Sequence, residues 1–298
     1  MKTLIVILGP TGIGKTDLSI EIAQEFKAEI ISSDSRQIYH ELKIGTAVPT
    51  TDQLNQVKHH FIGNKSIYDY YNASMFEFEV LDTLEELFQS SNQVVMTGGS
   101  GMYINAVCDG IDELPTIDQK LRDDLIKKHE KEGIESLRLQ LKILDPVTYE
   151  KIDLKNPKRI LKALEVSIQT GKPYSTFLTE SKKERDFNII KVGLQREREE
   201  LYERINMRVD QMVEEGLIEE AKRYYPDRKL NSLNTVGYKE LFQYFDGDIT
   251  EDKAVELIKR NSRHYAKRQI SWFARDRDIV WFHPDKKDEI VSYIKGLL

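Results

Sequence analysis

The sequence predicts an α/β protein, with a parallel-sheet core that is interrupted by an inserted all-helical domain. Short apolar runs alternate with amphipathic helical patterns in the first part of the chain, which is typical of parallel strands joined by crossover helices. From residue 115 to about residue 183, charged helical patterns replace the strand pattern. We therefore expect residues 1–114 to form the first part of the core, 115–184 the insert, and 185–298 the second part of the core.

Hydrophobic periodicity places the elements of this core. Apolar runs predict strands at residues 4–8, 29–33, 93–97, 187–194 and 279–282. Helical spacing predicts helices at residues 15–26, 74–90, 197–215 and 251–274. In the second of these helices, five apolar side chains are expected to face the core: Phe78, Leu81, Leu84, Leu87 and Phe88.

Composition narrows the classes of protein that are possible. The chain has 298 residues, of which 40% are hydrophobic, and this is enough for one large core and a smaller module. No apolar run approaches the roughly 18 residues of a membrane span, and the run at 4–8 is too short for a signal peptide. The single cysteine, Cys108, excludes an internal disulfide and fits a reducing compartment. We expect a cytoplasmic, monomeric protein without membrane contact.

The charge of the chain is unevenly distributed. Its formal net charge of −6 argues against a nucleic-acid partner if taken as an average. Between Lys259 and Arg277, however, seven Lys or Arg residues stand against one acid, Asp276. Tyr265 and Trp272 fall on the same helix, so this segment suits phosphate contacts with packing, although a solvated helix is the alternative.

A phosphate-binding loop follows the first strand directly. The pattern G-x-x-x-x-G-K-[ST] comprises Gly9, Pro10, Thr11, Gly12, Ile13, Gly14, Lys15 and Thr16, and it opens a helix. Backbone N–H groups and the helix N-terminus can face phosphates, while Lys15 adds charge and the Thr16 hydroxyl can hold Mg²⁺. This context predicts a P-loop NTPase-like core.

Three other positions are candidates for chemistry. Asp34 follows a strand at the edge where ligands of such sheets bind, so it can ligate Mg²⁺, take a proton, or only cap a turn. Another strand ends in Gly98-Gly99-Ser100 without the acid that ATPases usually carry there, which indicates either close backbone approach to a ligand or a tight turn. Arg204 and Arg208 share one helix face and either bind pyrophosphate or form solvated ion pairs. His59-His60 is interpreted as surface.

Taken together, these residues make the chain resemble the bacterial tRNA dimethylallyltransferases, also called isopentenyl-tRNA transferases. The similarity rests on blocks at residues 9–16, 34–39 with 43–47, 98–103, 156–166, and 235–240 with 266–273. These blocks span nearly the whole chain. The zinc finger of the eukaryotic members needs two cysteines, so the similarity is to the bacterial form.

The resemblance implies transfer of a dimethylallyl group from its diphosphate to the N6 amine of the adenine just 3′ of the anticodon. Asp34 would be the general base, and the pyrophosphate would be held by Lys15, Thr16 with Mg²⁺, Ser100 and Arg208. Contacts with the tRNA anticodon stem-loop would come from Asp34, Ser35, Arg36, Gln37, Ser100, Arg122, Lys158, Arg159, Ile160, Leu161, Lys162, Thr235, Val236, Gly237, Tyr238 and Lys239.

Two other functions remain possible at the level of sequence. A small-molecule kinase would use the same loop for ATP, with Asp34 as Mg²⁺ ligand or base, but it leaves the basic helix unexplained. A nucleic-acid-binding module whose loop is a regulatory switch would explain the basic helix but gives Asp34 no role.

Overall fold

The structure is a computed structural model that describes residues 1–179 and 182–298. Glu180 and Ser181, which belong to the predicted insert, lie outside the described residues. The chain forms two compact units. One contains residues 1–109 and 184–298, and the other contains residues 110–183.

A six-stranded parallel sheet forms the centre of the larger unit. Its strands are β1 (Thr3–Leu8), β2 (Ile30–Ser32), β3 (His59–His60), β4 (Gln93–Gly98), β5 (Asn188–Leu194) and β6 (Val280–Phe282). They lie in the order β3-β2-β4-β1-β5-β6, and every pairing is parallel. The predicted α/β fold is confirmed, and β5 does return the chain to the sheet beside β1.

Helices cover the sheet and build the second unit. Their bounds are α1 (Lys15–Glu25), α2 (Thr51–Gln56), α3 (Ala73–Ser90), α4 (Gly101–Asp109), α5 (Gln119–Leu144), α6 (Pro146–Lys151), α7 (Pro157–Thr170), α8 (Arg198–Glu214), α9 (Leu217–Arg223), α10 (Tyr238–Phe245), α11 (Glu251–Phe273) and α12 (Lys287–Lys295). Within the described ranges 1–179 and 182–298, no helix is both long and apolar enough to span a membrane.

The two faces of the central strand support two separate hydrophobic cores. Leu4, Val6 and Leu8 of β1 pack in one core, whereas Ile5 and Ile7 pack in the other. This division follows from the strand geometry, because successive side chains point to opposite faces. Both faces are covered, and for this reason the strand reads as a continuous apolar run rather than an alternating one.

The buried face of α3 differs from the prediction at one residue. Phe78 was expected to face the core, but 68% of its surface is exposed. The buried stripe instead runs through Phe76, Val80, Leu84 and Phe88, with spacings of four residues. Phe78 lies two residues from both Phe76 and Val80, so helical geometry turns it away from that stripe.

The interpretation of His59-His60 as surface was wrong. These residues form β3, the edge strand of the sheet, and both side chains are partly buried. Nε2 of His60 lies 2.6 Å from the Glu29 carboxylate. Two histidines carry no strand signal of their own, so the pairing with β2 decides the local structure.

The smaller unit is helical and has a core of its own. Leu137 and Leu141 of α5 pack against Ile160 and Leu164 of α7. Helix α5 is kinked at Gly133, where φ is +76°, a conformation that glycine adopts at little cost.

Candidate active site

The phosphate-binding loop connects β1 to α1. Gly14 is the N-cap residue of α1 and has φ +104°, and no side chain caps this end of the helix. The N-terminal N–H groups of α1 are therefore available to an anionic ligand. A Cβ at Gly12 would lie 2.9 Å from Ile205 of α8, so the loop also packs too closely for any other residue there.

Two arginines that are distant in sequence fix the outer side of this loop, Arg204 on α8 and Arg196 in the segment between β5 and α8. Nε of Arg204 donates to the Gly12 carbonyl at 3.0 Å, and Nε of Arg196 donates to the Ile13 carbonyl at 3.2 Å. Because the arginines hold these two carbonyls on the outer side of the loop, the N–H groups can point to its inner side. The sequence left two roles open for Arg204, pyrophosphate binding and solvated ion pairing. In the structure, Arg204 contacts the backbone of the loop.

Two cations lie at the centre of the loop. Nζ of Lys15 donates to the carbonyls of Gly9 and Pro10 at 3.0 and 2.8 Å. Arg208 of α8 lies beside it, with Nη1 3.4 Å from Oγ1 of Thr11. Burial and the nearby Arg208 lower the pKa of Lys15 to about 7, although Asp34 acts in the opposite direction. Burial also lowers the pKa of Arg208. Two crowded cations of this kind are stabilised by an anion.

Asp34 follows β2 and lies at the same end of the sheet. Its Oδ1 accepts the backbone N–H groups of Arg36 and Gln37 at 2.8 and 3.3 Å. The capping role that sequence offered as an alternative is therefore real. Both bonds use Oδ1, so the turn orients the carboxylate while Oδ2 remains the oxygen that can meet a substrate.

The side chains of Arg36 and Gln37, shortly after Asp34, donate hydrogen bonds to backbone carbonyls of the protein itself. The Arg36 guanidinium donates to the carbonyls of Asn231 and Ser232, at 3.2 and 3.1 Å. The Gln37 amide donates to the carbonyls of Thr46 and Ala47, at 3.2 and 2.9 Å. These contacts tie the Asp34 segment to the surrounding loops.

Ser100 links the third candidate segment to Asp34. Its Oγ accepts the Ser35 N–H at 3.0 Å and lies 3.1 Å from the Ser35 hydroxyl. Burial raises the pKa of Tyr265, on α11, to about 12. The preceding glycines serve close packing within the protein, because a Cβ at Gly98 would lie 2.3 Å from Oγ of Ser33.

Most of these groups border one cavity of about 1060 Å³, although Ser100 and Arg196 are not among its lining residues. Its lining includes Thr11, Gly12, Ile13, Gly14, Lys15, Thr16, Asp34, Ser35, Arg36, Gln37, Thr97, Gly98, Gly99, Arg204, Arg208, Thr235, Val236, Lys239, Tyr265 and Arg268. Sequence elements more than 200 positions apart therefore meet at the carboxyl edge of the sheet.

The segment at residues 235–239 divides into lining and supporting residues. Thr235, Val236 and Lys239 line the cavity. Tyr238, by contrast, is completely buried, and its hydroxyl donates to Glu220 at 2.6 Å. The Tyr238 side chain can therefore influence RNA binding only through the position of its neighbours.

The predicted RNA contacts in the smaller unit also differ in exposure. Lys158 and Arg159 are exposed, Leu161 and Lys162 are partly buried, and Ile160 is fully buried in the core. Ile160 thus has a packing role. Arg122 makes a two-point contact with Glu165, with nitrogen–oxygen distances of 2.9 and 3.1 Å.

Besides Arg196, sequence reasoning missed two residues that organise the site. Gln269 of α11 bonds to both the phosphate loop and the Gly99 turn. Glu220 of α9 accepts the N–H groups of Lys43, Ile44 and Gly45. The only sequence signal for Gln269 was its position in the block at 266–273, which contributes to the resemblance. Glu220 had no such signal, because it looks like any other acid on a charged helix.

Known proteins resemble this chain over its full length. Residues 37–276 match the family model described as IPP transferase. A tRNA dimethylallyltransferase 1 of Bacteroides fragilis is 56% identical over 99% of this chain and 98% of its own. The tRNA isopentenylpyrophosphate transferase of Bacillus halodurans has 36% identity and a TM-score of 0.74, covering 99% of this chain and 96% of its own.

A eukaryotic structure extends the comparison. It is a dimethylallyltransferase described as acting on tRNA, with 26% identity, a TM-score of 0.79, and coverage of 95% of this chain and 74% of its own. The bacterial matches cover both chains nearly completely, so the similarity includes both compact units. With the site geometry, these matches show that this chain belongs to the IPP transferase family of tRNA dimethylallyltransferases.

Proposed function

We propose that this chain transfers a dimethylallyl group from dimethylallyl diphosphate to the N6 amine of the adenine adjacent to the 3′ side of the anticodon in tRNA. The observation that carries this proposal is that one cavity joins the cationic phosphate loop to the Asp34 carboxylate. The similarity to tRNA dimethylallyltransferases supports both substrates.

The loop is suited to stabilise the departing pyrophosphate. When the allylic C–O bond breaks, negative charge builds on the pyrophosphate and the dimethylallyl fragment becomes a delocalised cation. In this proposal the loop N–H groups, the α1 N-terminus, Lys15 and Arg208 surround that charge, because they lie together at the phosphate loop. Ser100 is predicted to assist, and its bonds to Ser35 also hold the Asp34 segment.

A divalent cation fits this site, and we propose Mg²⁺. Within residues 1–179 and 182–298, no group of three or more His, Cys, Asp or Glu side chains could hold a metal. Mg²⁺ does not need such a cage, because it commonly binds through few protein ligands, substrate phosphates and water. Thr16 would hold it through its hydroxyl. When bound, the ion neutralises charge on the diphosphate.

Asp34 is the general base in this proposal. The amine nitrogen forms a bond to the allylic carbon, and the proton that it loses passes to Oδ2 of Asp34. The two N–H bonds at Oδ1 fix the carboxylate orientation without occupying the second oxygen. Because the bond to the amine forms late, Asp34 acts after most of the leaving-group charge has developed.

The RNA must deliver its adenine into the cavity. An adenine stacked in the anticodon loop has to leave the stack before its amine can reach the donor. We propose that exposed basic side chains of α11, Arg260, Lys267 and Arg268, together with Arg275 just after the helix, bind the phosphate backbone around it. Lys158, Arg159 and Lys162 are the proposed contacts on the helical unit.

Labelled dimethylallyl diphosphate, incubated with the protein, Mg²⁺ and an anticodon stem-loop, tests the proposal. We expect label on the RNA and one pyrophosphate released for each group transferred. Absence of label on the RNA would refute the activity.

A parallel reaction with ATP separates the kinase alternative. We expect no ATP consumption that depends on a small-molecule acceptor. ATP turnover without RNA, combined with no labelled RNA, would favour the kinase. RNA binding that survives Lys15→Ala, with no product from the wild type, would favour the switch module.

A further inference from the structure

We infer that Gln269 is a positioning residue that sets the shape of the diphosphate site. Its amide bridges two segments that sequence places far apart. Oε1 accepts the N–H of Thr11 in the phosphate loop at 2.9 Å, and Nε2 donates to the Gly99 carbonyl at 2.8 Å. One buried side chain of α11 therefore fixes the distance between the loop and the turn after β4.

The local packing leaves this amide little freedom. Only 6% of Gln269 is exposed, so its polar atoms depend on these two partners rather than on water. A Cβ at Gly99 would lie 2.3 Å from Nε2 and 3.4 Å from the Gly9 carbonyl. Gly99 is thus needed to let the amide reach the turn.

The bridge acts where the donor phosphates are proposed to bind. Nζ of Lys15 is held by the Gly9 and Pro10 carbonyls, immediately before the bridged residue Thr11. The Thr11 hydroxyl in turn contacts Arg208 at 3.4 Å. Movement of Thr11 would therefore displace the two cations relative to each other, and preorganised charge is what such a site contributes.

Two neighbours of Gln269 on α11 face outward. Lys267 and Ile270 are exposed, whereas Gln269 points into the protein. Arg268 is also exposed, but it lines the cavity. A substitution confined to Gln269 should consequently change diphosphate binding more than RNA binding. This inference rests on the proposed function for the identity of the donor, but the binding of inorganic pyrophosphate tests it directly.

The test uses Gln269→Met, which keeps the side-chain length and removes both hydrogen bonds. We expect the Kd for inorganic pyrophosphate, measured by calorimetry with Mg²⁺, to rise about tenfold, since Thr11 loses the hydrogen bond that holds it in position between the two cations. The Kd for the anticodon stem-loop should change by less than about twofold. Gln243→Met, at an exposed glutamine of α10, is the matched control and should change neither constant.

Gly99→Ala provides a second variant that does not alter Gln269 itself. Its methyl group would displace the amide, so we expect a similar loss of pyrophosphate affinity. Because both changes break one bridge, the double variant should bind about as weakly as either single variant, rather than showing the product of two losses.

Each outcome has a separate meaning. Unchanged pyrophosphate affinity in Gln269→Met, or additive losses in the double variant, would overturn the inference. If Gln269→Met weakened pyrophosphate and RNA binding equally and also lowered the Tm, Gln269 would only stabilise the packing of α11. This result would also overturn the inference. If the wild type bound no pyrophosphate, the proposed function itself would fail, and that result is distinguishable from the others.

Discussion

Asp34 shows why residue-scale roles are difficult to assign from sequence. A cap, a metal ligand and a base were separate alternatives for the same carboxylate. The structure places its two oxygens differently, since Oδ1 accepts two N–H groups of its own turn. Capping and catalysis are therefore compatible, and capping supplies the orientation that a base requires.

Replacing Asp34 with Asn separates these two roles. The Asn side chain can keep accepting the Arg36 and Gln37 N–H groups, but it cannot take up the proton. We expect the single-turnover rate of transfer to fall by roughly 10² or more, while RNA binding persists. Asp34→Ala should lose both roles and also lower the Tm. Wild-type rates in Asp34→Asn would show that another group is the base.

Lys15 makes diphosphate binding depend on pH. Its pKa in the folded protein is about 7, below the ordinary 10.5, so burial of the charge reduces stability below pH 7. As pH rises from about 7 to 10.5, this cost is relieved and the contribution to stability increases. A bound diphosphate favours the ammonium form and raises its pKa, so binding takes up a proton above pH 7.

Calorimetry in buffers with different ionisation enthalpies measures this proton uptake. At about pH 8 we expect net uptake on pyrophosphate binding, and affinity should decline as the pH rises further. Lys15→Met should bind more weakly and lose this part of the pH dependence. Proton release in the wild type, after correction for the pyrophosphate itself, would contradict the assignment.

At the scale of elements, one carboxylate shapes the segment at residues 43–47, which we call the Lys43 loop. Glu220 of α9 accepts three consecutive N–H groups of this loop and the hydroxyl of Tyr238. The Tyr238 ring in turn leaves no room at Gly45, where a Cβ would lie 2.7 Å from it. Sequence showed the residues of this cluster but not their contacts.

Gly45→Ala should disturb this cluster. The added methyl group has to displace a fully buried ring, so we expect a loss of about 2 kcal/mol in the free energy of unfolding. Denaturant unfolding measures the change. Gly296→Ala is the control, because a Cβ there would make only ordinary contacts at 3.5 Å. Equal stability of the two variants would contradict the close packing.

Helix α11 has two different faces. Gln269 and Ala266 are buried towards the phosphate loop and the core, while Arg260, His264 and Lys267 are exposed. A sequence pattern shows the basic excess, but only the fold shows that the same helix contacts the phosphate loop.

Lys267→Ala tests the exposed face. If Lys267 contacts a phosphate, RNA binding should weaken, and the slope of log K against log salt should decrease by about 1. Lys253→Ala, on the first turns of the same helix and paired with Glu256, is the control. A slope that is unchanged in Lys267→Ala would place this residue outside the RNA interface.

At the scale of the whole molecule, the sequence was most informative where a local motif lies next to an element that the fold buries. The phosphate loop and β1 were evident because glycine spacing and an apolar run occur together. The edge strand β3 was missed because two histidines form a strand only through pairing with β2. Phe78 was misplaced because apolar residues surround the true buried stripe of α3.

Long-range contacts account for the rest of the site. Arg196, Arg204 and Gln269 support the loop from positions more than 180 residues away. No local signal distinguishes such side chains from solvated ones, because their partners are backbone atoms. The resemblance to known transferases identified the functional blocks, whereas the structure explains how these blocks cooperate.

In the proposed mechanism, the loop holds the departing pyrophosphate while Asp34 takes the proton from an adenine amine. The most direct measurement compares labelled dimethylallyl diphosphate with two anticodon stem-loops that differ only at the target base. One carries adenine, and the other carries hypoxanthine, which has no exocyclic amine. We expect label and pyrophosphate release with adenine alone. Label on both RNAs, or on neither, would contradict it.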